Sequence, residues 1–140
     1  MENNFQKVKS YFGGVVPFEI AKELQSMEYD GIYQHVYDEL GFIQNEKEMN
    51  EYNLPKISAP SIDEVFGWFR YKYKIYSAVL PFRENENDLI IFYYVYCEDD
   101  GIYPVLLNDC DLNASDLNFE TYDEAEFACL NKLIEIIKNK

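Results

Sequence analysis

The stretch Thr121-Tyr-Asp-Glu-Ala-Glu-Phe-Ala-Cys-Leu-Asn-Lys-Leu-Ile-Glu-Ile-Ile-Lys138 decides how the rest of the chain is read. Thr121 followed three residues later by Glu124 is a capping-box pattern. The hydroxyl can take a free N–H of the first turn, and the carboxylate can reach back to the Thr N–H. Asp123, Glu124 and Glu126 crowd the positive end of the helix dipole, whereas Lys132, Lys138 and Lys140 lie toward the negative end. Ala125, Ala128, Cys129, Leu133, Ile136 and Ile137 recur at helical spacing, and Leu130 and Ile134 widen that stripe. A capped amphipathic helix of this kind can lie close on a sheet at its start and fill a deeper core at its end.

The chain upstream supplies one. Ser61-Ile-Asp-Glu64 repeats the capping-box pattern directly after Pro60. Ile62, Val65, Phe66, Phe69 and Tyr73 follow as an amphipathic stripe, with Trp68 at its margin. Three strands are expected next, at Ile75–Phe82, Leu89–Cys97 and Ile102–Leu107. The charged turns between them, at 83–88 and 98–101, are short enough for antiparallel hairpins. A polar loop, Asn108–Asn118, leads to the closing helix.

Toward the N-terminus, Gly13-Gly14 and Val15-Val16-Pro17 form a loose lead-in to a short helix carrying Phe18, Ile20, Ala21, Leu24 and Met27. Pro17 sits near the start of that helix, where a missing N–H matters little, and Asp30-Gly31 is read as its end. Ile32–Tyr37 and Phe42-Ile43 flank Asp38-Glu-Leu-Gly41, a hairpin turn in which Gly supplies a positive φ. Residues 46–60 are polar, contain Pro55 and Pro60, and read as a connecting loop. The expectation is α+β: an antiparallel sheet with packed helices, order αββ-αβββα. It is one domain over 1–140, with an αββ unit at 17–45 and an αβββα unit at 61–139.

Composition narrows function more than it names it. A chain of 140 residues with 48% hydrophobic and 17% aromatic residues can bury a core. Twelve basic against twenty-six acidic residues leave a formal charge of −14. That sign repels phosphate backbones and anionic headgroups, so direct nucleic-acid and membrane binding are disfavoured, and a basic protein surface is the complementary partner. Cys97, Cys110 and Cys129 show no CxxC spacing and fit ordinary buried thiols in a reducing compartment. No secretory signal and no membrane-length apolar run is read, so a soluble cytoplasmic protein is expected.

Catalytic chemistry has little to stand on. His35 is the only histidine and falls in an expected strand, where a solvated or hydrogen-bonded role is the simpler reading. No carboxylate pair stands out as an acid/base couple, and no phosphate-binding loop is present. The most suggestive local pattern is Asp109, Asp111, Asn113 and Glu120, at positions 1, 3, 5 and 12 of an EF-hand-like loop. Against calcium stand Ala114 where the sharp turn wants Gly, Asp116 where an apolar residue is usual, and a strand in place of an entering helix. No other cofactor is implied.

The αβββα order also matches a double-stranded-RNA-binding domain in topology. That module grips phosphate with a lysine-rich start to its last helix. Here thirteen acidic side chains and no Lys or Arg lie between Glu84 and Glu126, so the charge is inverted where such a domain would work. One basic island, Arg70-Tyr-Lys-Tyr-Lys74, ends the second expected helix. Cations suit a helix C-terminus, and the island could also dock against the acidic belt of a second copy.

Two blocks resemble a known group. Ala59-Pro60-Ser61 leading into Phe66-Gly-Trp68-Phe-Arg70-Tyr-Lys72-Tyr-Lys74 is similar to a recurrent "AP…Q…WFREKY" block. It occurs in a family of small uncharacterised proteins from gut-type bacteria, their phages and mobile elements. That family commonly closes with a segment like Phe119–Ile136, and many members open with a helix like Ile20–Leu24 and an acidic hairpin like Tyr37–Gly41. The likeness spans residues 18–138, with Tyr71 where the family more often has Glu. It implies a phage or mobile-element setting and carries over no catalytic or binding residue.

The functional expectation is therefore a non-enzymatic interaction protein, acting as an electrostatic mimic or inhibitor of a basic host factor. Its candidate partner-binding residues are Glu98, Asp99, Asp100, Asp123, Glu124 and Glu126. The alternative is a calcium- or small-ligand-binding module built on the Asp109–Glu120 loop.

Overall fold

The structure is a computed structural model that describes residues 14–98 and 112–140. It is α+β, with two antiparallel three-stranded sheets rather than a single one. The chain divides into two compact units between Gly67 and Trp68.

In the first unit, α1 (Phe18–Ser26) follows Pro17, whose carbonyl accepts the Ala21 N–H at 2.9 Å. Ile20, Ala21 and Leu24 form its buried side. The helix stops before the expected Asp30-Gly31. Glu28 adopts a left-handed φ of 60°, its N–H bonds to the Gln25 carbonyl, and the Tyr29 N–H bonds to the Leu24 carbonyl. This is a Schellman ending built on Glu where Gly is usual.

Strands β1 (His35–Tyr37) and β2 (Ile43–Gln44) form the expected hairpin. Asp38 organises its turn. Its carboxylate accepts the Leu40 and Phe42 N–H groups at 2.9 and 3.0 Å and the Gln44 amide at 2.8 Å. Desolvation pushes this carboxyl up, but the bonds from Phe42, Gln44, Leu40 and Gly41 outweigh it and hold it below the usual carboxylate range. Gly41 closes the turn at φ 88°.

Residues 46–60, expected as a connecting loop, instead carry a helix and a strand. Asn45 caps α2 (Glu46–Glu51) by accepting the Lys47 and Glu48 N–H groups at 2.9 and 3.3 Å. Met49 is buried, and Asn53 ends the helix in a second left-handed Schellman turn. β3 (Ile57–Ala59) then pairs with β1, giving the order β2-β1-β3. Tyr37 anchors this sheet. Its ring is fully buried, meets Phe18 edge-on at 5.3 Å, and its hydroxyl donates to the Val16 carbonyl at 2.6 Å.

The capping box at Ser61 forms as expected. Glu64 N–H donates to the Ser61 hydroxyl at 3.1 Å, and the Ser61 N–H donates to the Glu64 carboxylate at 2.8 Å. It opens α3 (Ile62–Trp68), which runs directly into a π-helical turn over Phe69–Tyr73. The chain leaves that turn through Lys74, left-handed at φ 57°.

In the second unit, β4 (Ile75–Phe82) and β5 (Ile91–Glu98) pair along their full length, from Ile75 opposite Glu98 to Phe82 opposite Ile91. The third strand expected at Ile102–Leu107 lies outside the described residues. The third strand of the described sheet is β6 (Asn113–Ala114), which falls within the stretch expected as a polar loop. Beyond it, Ser115 binds the Tyr94 backbone and Phe119 exchanges two backbone bonds with Phe92.

The closing helix α4 (Tyr122–Lys138) packs on β4 and β5 and is capped by Thr121, whose hydroxyl accepts the Glu124 N–H at 3.1 Å. Its buried side is Ala125, Glu126, Phe127, Cys129, Leu130, Leu133 and Ile134. Compared with the expected stripe, the helix is rolled toward Phe127. Ile136 and Ile137 are only half-buried.

Candidate interaction surface

The cross-strand register shows which residues share each face of the second sheet. Ser77 is hydrogen-bonded to Cys129 of α4, so Ile75, Ser77, Val79 and Pro81 face that helix. Burial pushes the Cys129 thiol up to about 12. It is therefore a packing group and not a nucleophile at neutral pH. Tyr94 and Phe92, opposite Val79 and Pro81, contact Phe119 and Tyr122 with ring centroids 6.2 and 6.0 Å apart.

The alternate residues form the other face: Tyr76, Ala78, Leu80 and Phe82 on β4, opposite Cys97, Val95, Tyr93 and Ile91 on β5. Ala78 is exposed, Leu80 is 37% exposed and Phe82 is 45% exposed. The solvent-open part of this face is on β4, since Ile91, Tyr93 and Val95 are half-buried and Cys97 is buried.

The hairpin connection extends that surface. Every residue from 81 to 90 is exposed. Asp88 accepts both the backbone N–H and the side-chain amide of Asn85, and Arg83 donates to the Glu86 carbonyl, so the tip has defined internal geometry. It presents Glu84, Glu86 and Asp88 beside Leu89, which is 88% exposed, and Ile90. An exposed leucine following an acidic turn gives both an apolar anchor and a negative field.

Sequence reasoning assigned Leu89 and Ile90 to the strand and so missed this tip. The alternation of the run does not reveal its start. The Phe82–Ile91 pairing sets the strand end, and the Asn85–Asp88 turn leaves both residues in the connection.

A cluster of basic residues lies at the other end of the hairpin. Arg70, Tyr71, Lys72 and Lys74 are exposed on and just after the π-helical turn, and Tyr71 is 82% exposed. The Lys72 ammonium lies 5.1 Å from the Trp68 ring, and that of Lys74 lies 5.5 Å from the Tyr71 ring. Trp68, Phe69 and Tyr73 pack ring against ring at 5.2–5.7 Å beneath them.

Of the six residues nominated from sequence, four lie among the described residues. Glu98 is exposed but ion-paired with Lys140 at 2.6 Å. Asp123 and Glu124 are half-buried in the first turn of α4. Glu126 is only 6% exposed. Its position on the inward side of the rolled helix removes it from any docking surface. Asp99 and Asp100 lie outside the described residues.

Of the calcium candidates, Asp109 and Asp111 also lie outside the described residues. Asn113 is exposed on β6 opposite Tyr96, and Glu120 is exposed just before the α4 cap. Among the described residues, no group of three or more His, Cys, Asp or Glu side chains is placed to hold a metal ion. His35 is exposed on β1 opposite Ala59. Among the described residues no helix is long and apolar enough to cross a membrane.

No protein-family model, curated protein or solved structure matches this chain.

Proposed function

We propose that this chain is a non-enzymatic protein-interaction module whose β4–β5 hairpin tip engages a basic surface. The observation that carries the reading is the tip itself: Leu89 stands 88% exposed directly after Asp88, at the end of a turn held by its own hydrogen bonds and bearing Glu84 and Glu86. A chain charge of −14 adds a long-range field that steers basic partners and repels nucleic acid. On this reading the protein is an electrostatic mimic or inhibitor of a basic host factor, in the phage or mobile-element setting that its sequence blocks suggest. A cytoplasmic site of action suits the buried free thiol of Cys129.

The test is capture from host lysate by the immobilised chain at rising salt, beside a tip variant carrying Glu84→Lys, Glu86→Lys and Leu89→Ser. The expected result is a basic partner that is released as salt rises and is lost with the variant. A principal partner held unchanged through molar salt, or captured equally by the variant, refutes the reading.

A further inference from the structure

The strand order is β4-β5-β6, so one side of β4 meets no strand among the described residues. The bonds made by β5 show which backbone groups that side carries. Phe92 exchanges two bonds with Phe119 at 2.8 and 2.7 Å, and the Tyr94 carbonyl accepts the Ser115 N–H at 2.9 Å. The backbones of Phe92 and Tyr94 therefore point away from β4. In an antiparallel ladder their cross-strand partners, Pro81 and Val79, must in turn point away from β5. Two residues earlier, Ser77 does the same. The outer edge thus presents the N–H and carbonyl groups of Ser77 and Val79 and the carbonyl of Pro81. Pro81 fits this assignment, because the N–H it lacks would have met nothing in the sheet. Ala78, Leu80, Pro81 and Phe82 are exposed, and β4 contains none of the charged residues that commonly guard such an edge.

We infer that this edge docks an extended basic segment of the partner, which joins the sheet as a fourth strand. Backbone bonds to Ser77 and Val79 supply the pairing, and alternate apolar side chains of the segment lie beside Leu80 and Phe82. Charge names the occupant. Glu84, Glu86 and Asp88 follow β4 directly, so an antiparallel segment brings its N-terminal residues to three carboxylates, and Lys or Arg there matches them. A second copy of the chain is the poorer fit, because it brings a further charge of −14. The inference rests on the reading of the tip as an acidic interaction surface and gives the form in which a basic partner meets it.

The probe is a synthetic peptide of arginines followed by alternating valine and threonine, beside the same peptide methylated on its valine and threonine backbone nitrogens. Amide hydrogen exchange of the full chain, followed residue by residue by nuclear magnetic resonance, reads the edge. In the free chain the Ser77 and Val79 amides should exchange on the order of tenfold faster, relative to their intrinsic rates, than those of Ala78 and Leu80, which face β5. The peptide should slow the first pair, and its methylated form should not. Val79→Pro removes one edge donor in the way Pro81 does, so it should leave the circular dichroism unchanged and weaken the peptide on the order of tenfold. Glu84→Lys with Glu86→Lys should weaken it as well.

Ser77 and Val79 amides as protected in the free chain as Ala78 and Leu80 overturn the inference, because the edge is then already covered. Protection that grows with protein concentration assigns the edge to a second copy and overturns it too, as does a peptide that leaves the exchange unchanged. Equal binding of the methylated peptide, or of the unmodified one to Val79→Pro, overturns strand addition. If that binding still falls with the tip substitutions, the hairpin-tip reading stands. Binding indifferent to the tip substitutions overturns the tip reading and the basic occupant with it.

Discussion

Gly41→Ala tests whether the β1–β2 turn is held by backbone conformation alone or also by close packing. Gly41 sits at φ 88°, where an L side chain is strained by about 1–2 kcal/mol. A Cβ there would also lie 2.8 Å from Cδ2 and 3.0 Å from Cγ of Phe18. Phe18 cannot retreat freely, because its ring meets the fully buried Tyr37, whose hydroxyl is tied to the Val16 carbonyl. Overpacking of this kind adds about 1–3 kcal/mol, so the total loss is about 2–5 kcal/mol.

Gly14 provides the internal control. It has φ 101°, but nothing lies within 4 Å of its would-be Cβ, so Gly14→Ala should lose only the conformational part, about 1–2 kcal/mol. Urea unfolding followed by far-ultraviolet circular dichroism measures both, with midpoints compared at unchanged slope. Equal losses at the two positions would refute the Phe18 contact. A Gly41→Ala loss below about 0.5 kcal/mol would refute the left-handed turn itself.

Three further outcomes follow from local geometry. Glu28→Gly should raise stability by about 1 kcal/mol in the same urea assay, because it relieves a left-handed Glu at an exposed helix end. Ser61→Ala should lower it by about 1 kcal/mol, because the Glu64 N–H loses its acceptor, and Ser61→Thr should retain most of the effect. On the alkaline side, the unfolded Cys129 thiol ionises near 9 while the folded one holds its proton to about 12. The unfolded state then binds fewer protons, so stability is intact below pH 9 and falls as pH rises toward 12, by up to about 1.4 kcal/mol per pH unit for one group. Burial raises the hydroxyls of Tyr29 and Tyr37 as well, and they steepen the loss above pH 10. Urea midpoints across pH 8–11 check the sign, and native Cys129 should resist alkylation at pH 8 while reacting readily in urea.

The parts of the fold legible in the sequence are those whose causes are local. The Ser61–Glu64 capping box, the Thr121 cap and the Asp38–Gly41 turn each place a polar side chain within four residues of the backbone group it satisfies. The missed elements need distant partners. β3 has three residues and exists because β1 lies beside it, and the six-residue α2 depends on Asn45 at its start and the burial of Met49. The stops at Glu28 and Asn53 were invisible because neither is a glycine, the usual residue in a left-handed turn.

Periodicity ranks apolar residues without weighing the surface they meet. It therefore included Ala128, Ile136 and Ile137, which are half-buried, and overlooked Phe127, which is buried. The hairpin tip escaped for a related reason: where a strand begins is settled by its cross-strand partner, and Leu89 has none in the β4–β5 register.

The π-helical turn gives the protein its own optical probe. Trp68 is the sole tryptophan, and its ring contacts Tyr73 at 5.2 Å, five positions further on. Ordinary α-helical winding at 3.6 residues per turn would send such positions to opposite flanks, whereas the wider winding brings them together. The indole thus sits between aromatic edges and under the Lys72 ammonium, so its emission wavelength and quenching report on the winding of five residues and on any anion that draws the lysine away. Intrinsic fluorescence can follow events at this basic cluster without a label.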